Sequence, residues 1–126
     1  MQISHFTELI VYQRSLALAG QIFDLSKRWP PEERYALTDQ IRRAARSVGA
    51  NIAEAWGKRR YELHFVSKRS DADAENHEIE HWLIVAHQGQ YLSADDYVQL
   101  QEQKREVGRM LGSMILNPTP FLLKKL

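Results

Sequence analysis

From Leu37 to Ala55, apolar side chains return every three or four residues: Leu37, Ile41, Ala44 with Ala45, Val48, Ile52 and Ala55. That rhythm matches the turn of an α-helix and draws one stripe down one face. Three further segments carry the same rhythm, and no alternating Val/Ile/Thr run is bounded by an Asn-Gly or Asp-Gly turn, so strand signals are nearly absent. Four amphipathic helices with short connections can hide their stripes only against one another. The pattern predicts an all-α chain, an antiparallel up-and-down four-helix bundle forming a single domain over residues 1–126.

The helices are expected at about residues 7–28, 37–56, 61–90 and 94–116. In the first, Leu9, Tyr12, Leu16, Ala19 and Phe23 share a face, and a second apolar set (Val11, Leu18, Ile22, Leu25) lies well round the cylinder. A wide core or an oligomer interface would each explain so much apolar circumference. Pro30 and Pro31 end this helix. Gly57 reads as a C-terminal cap of the second, with Lys58-Arg59-Arg60 in an exposed turn. The third carries Phe65, Ala72, Asn76, Ile79, Leu83 and Ala86 in register. Ser93, with Asp96 three residues on, opens the fourth in place of a capping box. Tyr97, Leu100, Lys104, Val107, Leu111 and Met114 then repeat until Asn117-Pro118 stops it.

Composition narrows the function classes. The chain holds no cysteine, which excludes disulfides, thiolate metal sites and cysteine nucleophiles. Lys plus Arg (17) nearly balances Asp plus Glu (16), so any nucleic-acid surface has to be a local patch. No basic leader and no uncharged stretch of about 20 residues is present, so a cytoplasmic protein without a membrane partner is expected.

His77-Glu78-Ile79-Glu80-His81 matches the H-E-x-x-H pattern of zinc peptidases, with His87 where a third ligand would fall. The extended motif needs a glycine that turns the chain back to the metal, and Ile84 stands there. In an unbroken helix His87 lies roughly 9 Å along the axis from His81, on the opposite face. Glu78-x-x-His81 also fits half of a di-iron site, but no second Glu-x-x-His exists in the chain. No catalytic residue, metal ligand or cofactor is assigned.

Gln40, Arg43, Ser47, Asn51 and Glu54 occupy a narrow arc beside the second helix's apolar stripe. None is a nucleophile with a paired base, so a structural polar network is expected, with partners on the third helix. Antiparallel pairing would bring Arg43 and Arg46 level with Asp71, Asp73 and Glu75. Charge is also segregated: residues 42–60 hold six basic residues against Glu54, and residues 62–80 hold six acids against Lys68 and Arg69.

The run from Tyr35 to Ala55 resembles the signature helix of the four-helix-bundle proteins known as 23S ribosomal RNA intervening-sequence proteins. Gln40, Arg43, Ala44, Ser47, Asn51, Ile52, Ala53 and Glu54 carry that pattern. Phe6, Leu9, Val11, Tyr12 and Gln13 resemble the family's opening, Trp29, Pro30, Glu33 and Tyr35 its first loop. Trp82, Leu83, Ala86, Gly89, Tyr91 and Leu92 resemble its third helix, and Arg109, Met110 and Leu111 its fourth. Ala55 departs from the glycine many members have there. The resemblance implies a bundle often assembled as a ring-like homopentamer, related to the nucleic-acid-binding accessory protein of diversity-generating retroelements.

A non-enzymatic homo-oligomer that binds RNA or other nucleic acid is therefore expected. Arg42, Arg46, Lys58, Arg59 and Arg60 are the candidate contacts, meeting phosphates without an aromatic platform nearby. An oligomeric scaffold for an unidentified protein partner is the alternative. Phe121, Leu122 and Leu123 of the tail add apolar surface that self-association would cover.

Overall fold

The computed structural model describes residues 3–116 and Phe121. Four α-helices run from Ile10–Ser26 (α1), Leu37–Gly57 (α2), Glu62–Gln88 (α3) and Ala94–Leu116 (α4), with short 3-10 turns at Phe6–Glu8 and Pro31–Glu33. No strand occurs among the described residues. Each helix packs on its neighbours in sequence, and α1 closes the circle against α4. Pairs across the interfaces fix the antiparallel sense: Arg42 reaches Ser26, Glu54 reaches Lys68, and Lys104 reaches Glu80.

The stripes expected on α2 and α3 are buried along their whole length. Leu100, Val107, Leu111 and Met114 of α4 join them, with the stem of Lys104 buried between. Ser93 caps α4 by accepting the Asp96 N–H at 3.1 Å. The expected stop at Asn117-Pro118, and Leu122 and Leu123, lie outside the described residues. Phe121 is half-buried and stacks on Phe65 with ring centroids 6.2 Å apart.

Helix α1 differs from expectation twice. It begins at Ile10, because His5 caps a separate 3-10 turn by accepting the Thr7 N–H. It ends at Ser26. Of the two apolar sets on its surface, the row from Leu9 to Phe23 and the second set, it is Val11, Leu18 and Ile22 of the second that face inward, joined by Ser15 and Ser26. Leu16 of that row is 58% exposed, and Tyr12, Ala19 and Phe23 are only half-buried. Ser15 and Ser26 fill inward positions that a reading by hydrophobicity leaves blank. Each buries its hydroxyl by donating to its own helix, Ser15 to the Tyr12 carbonyl and Ser26 to the Phe23 carbonyl. Their small volume lets α2 come close: a Cβ built on Gly49 would touch Ser15 Oγ at 3.5 Å.

Arg69 occupies a core position of α3, in register with Phe65, Ala72 and Asn76, and is wholly buried. Gly57 is the last helical residue of α2 and has no positive φ, so it is not the cap the sequence suggests. The left-handed residue is Gln90, with φ 64°. The Tyr91 N–H reaches the Ala86 carbonyl and the Gln90 N–H the His87 carbonyl, which closes α3 as a Schellman motif.

Candidate nucleic-acid interface

The chain reverses between α2 and α3 in four residues. The Lys58 N–H closes α2 on the Glu54 and Ala55 carbonyls, and the Tyr61 N–H returns to the Lys58 carbonyl at 3.0 Å. Lys58, Arg59 and Arg60 therefore project from one tip of the bundle, and among the described residues none of them joins an ion pair. The nearby Glu54 is engaged by Lys68 at 2.8 Å. That contact raises Lys68 and, with the charge of Lys58 behind it, holds the Glu54 carboxyl below its ordinary value.

Aromatic side chains accompany these cations, contrary to the expectation of a tip without them. The Arg59 guanidinium lies 3.9 Å from the centroid of the Trp56 ring and donates to the Trp56 carbonyl at 2.7 Å. Tyr61 is 60% exposed and leans toward exposed His64, with ring centroids 5.6 Å apart. The signal was present in the i, i+3 spacing of Trp56 with Arg59 and of Tyr61 with His64.

Arg42 and Arg46 lie elsewhere. Arg42 is half-buried against the end of α1, donating through Nε to Ser26 Oγ at 2.8 Å and through Nη2 to the Phe23 carbonyl at 3.4 Å. Its guanidinium stands 4.5 Å from the Phe23 centroid. A cation so placed adds a second donor to the Phe23 carbonyl, which already accepts from Ser26, and complements the negative end of the helix dipole. Arg42 thus holds α1 to α2 instead of standing on an outer face. Arg46 is exposed, 5.2 Å from the same ring, and roughly 18 Å along α2 from the tip.

Gln40, Arg43, Arg46 and Ser47 line an open groove of ≈ 520 Å³ whose far wall is Glu75 and Glu78 of α3. Burial, then the neighbouring Glu78, pushes the Glu75 carboxyl above its ordinary range, and the charge of Arg43 opposes that rise. The stripe is only partly knit to α3. Asn51 bonds within its own helix, to the Ser47 carbonyl and hydroxyl, and Glu54 alone makes an ion pair across. Of the three acids expected level with Arg43 and Arg46, Glu75 faces them across the groove, while Asp71 pairs with Lys68 and Asp73 lies 3.7 Å from His77 Nδ1.

The H-E-x-x-H residues diverge. His77 Nδ1 donates to the Asp73 carbonyl, and exposed His81 packs on Trp82. Glu78 turns toward α2, accepts the Trp82 indole N–H at 3.0 Å and lines the polar groove. His87 stacks on Tyr97 with centroids 4.1 Å apart. Among the described residues no three His, Asp or Glu side chains converge as metal ligands, and no helix is long and apolar enough to cross a membrane.

A structure of a protein of unknown function from the S23 ribosomal protein family of Bacteroides thetaiotaomicron is similar in fold. It shares 29% identity with this chain, covering 86% of this chain and 96% of that one, with a TM-score of 0.78. No curated relative matches the chain. The family model of the 23S rRNA-intervening sequence protein matches residues 7–113, which takes in all of α1, α2 and α3 and most of α4. With the bundle and the α2 signature in agreement, the chain belongs to the 23S rRNA-intervening sequence protein family.

Proposed function

We propose that this protein is a non-enzymatic, oligomeric RNA-binding bundle of the cytoplasm, with the tip between α2 and α3 as its main phosphate-contacting surface. One observation carries the reading: three successive cations crowd a four-residue turn, and no acid among the described residues pairs with them. The family's name links it to 23S rRNA intervening sequences, which makes RNA the first ligand to test. Exposed Arg46 adds a second, weaker contact; Arg42 serves the fold.

Three phosphate contacts to single-stranded RNA imply that log K falls by roughly 2 per decade of salt. Reversing Lys58, Arg59 and Arg60 to Glu should abolish binding and leave the helical content intact. Binding that ignores both salt and this triple substitution overturns the reading.

We also propose self-association, as the ring-like homopentamer the family resemblance implies. Ile3 and Ile10 are exposed beside an apolar groove of ≈ 910 Å³ between the start of α1 and the end of α4, with Met110, Met114 and Phe121 in its wall. A stable 14.7 kDa monomer at micromolar concentration in sedimentation would refute this. The same groove favours the second reading, a scaffold for another protein. Absence of RNA binding at low salt would select it.

A further inference from the structure

We propose that the tip takes unpaired bases, so that its ligand is single-stranded and not duplex RNA, with Tyr61 as the stacking residue. This rests on the RNA reading above and adds to it the class of RNA. Phosphate attraction alone does not distinguish the two forms, because both present a charged backbone. A base face is open only in a single strand, and an exposed aromatic ring is the surface that rewards it. Tyr61 follows the three cations directly, and 60% of its surface is in water.

The surroundings strengthen the assignment. Tyr61 stands in extended conformation at the N-cap of α3, and its carbonyl accepts the Phe65 N–H at 2.9 Å. The backbone beneath the ring is therefore fixed by a helix start. His64, one turn on, extends the aromatic surface, and Leu63 beside it is 83% exposed. Arg59 is held over Trp56 by the ring and by its carbonyl before any ligand arrives, so its ordering costs little on binding. A cationic tip with an uncovered aromatic and an uncovered leucine suits a ligand that brings charge and an apolar face together. An unpaired nucleotide does so.

The test is fluorescence anisotropy with a labelled oligouridine and with an RNA duplex of matching length, at low salt. Wild type should bind the oligouridine more tightly than the duplex. Tyr61→Phe keeps the ring and should bind like wild type. Tyr61→Ala should weaken oligouridine binding about 5- to 150-fold, the worth of one stacked base, and leave its salt slope and duplex binding unchanged. Circular dichroism checks that both variants remain folded. If Tyr61→Ala binds oligouridine like wild type while the triple Glu variant does not bind, stacking is refuted and the RNA reading stands. If wild type binds neither RNA, the RNA reading falls and this inference with it.

Discussion

Replacing Arg69 with Met should make the protein more stable. The guanidinium is 0% exposed, and its Nε and Nη1 have no hydrogen-bond partner among the described residues. Among the described residues Nη2 meets only the Met114 thioether, a weak acceptor. Burial lowers its pKa to about 10, partly offset by the charge of Asp73. A fall of that size from the ordinary guanidinium value corresponds to roughly 3 kcal/mol against the charged form in the folded state. Methionine keeps most of the stem's packing and removes the charge, so a gain of about 1–3 kcal/mol is expected. Arg69→Ala discards the packing too and should fall about 2–5 kcal/mol below the Met variant. Urea denaturation followed by circular dichroism measures both. The lowered value also sets a sign: the penalty is complete below pH about 10. It eases as pH rises toward the unfolded value, since the unfolded chain then holds the extra proton. A Met variant less stable than wild type by about 1 kcal/mol or more would refute the reasoning, because the guanidinium would then have a strong partner.

Three other substitutions probe separate interfaces. Gln90→Gly should raise stability by about 1 kcal/mol in thermal denaturation, since a non-glycine residue holds a left-handed conformation there. Gly108→Ala should destabilise by about 1–3 kcal/mol. Its Cβ would stand 3.1 Å from Asn76 Nδ2, which is buried and already committed to the Lys104 carbonyl. Glu75→Gln should stabilise the protein at neutral pH. The native carboxyl is raised by burial and by Glu78, so its ionisation is penalised above the folded pKa and the penalty disappears below the unfolded one. A pH series of melting temperatures should show the two proteins converging in acid.

The α2 face was plain in the sequence because its stripe consists of aliphatic and alanine side chains, with Thr38 the one polar residue buried beside them. Of the α1 face, Val11, Leu18 and Ile22 were legible as an apolar set, while Ser15 and Ser26 were not, since they satisfy their hydroxyls locally. Arg69 escaped for a related reason: a charge in a core register looks like a gap in the stripe. At the candidate site, consecutive cations disclosed the tip, and the i, i+3 pairs that bring Trp56 and Tyr61 alongside were legible but unread. The role of Arg42 depended on where α1 ends, which hydrophobic periodicity leaves open by several residues. Asn51 turned back to Ser47 because its amide reaches its own preceding turn more readily than a neighbouring helix.

The circular order of packing, each helix against the next and α1 against α4, bears on how the chain finds its structure. Three of the four interfaces join consecutive helices, so most native contacts close short loops and carry little entropic cost. The chain should therefore fold rapidly, and among the packed helix pairs α1 against α4 closes the longest loop. Val11 and Met114 both line the apolar groove along that seam. Substitutions along the α2–α3 interface should therefore slow folding, and substitutions at the seam should chiefly speed unfolding.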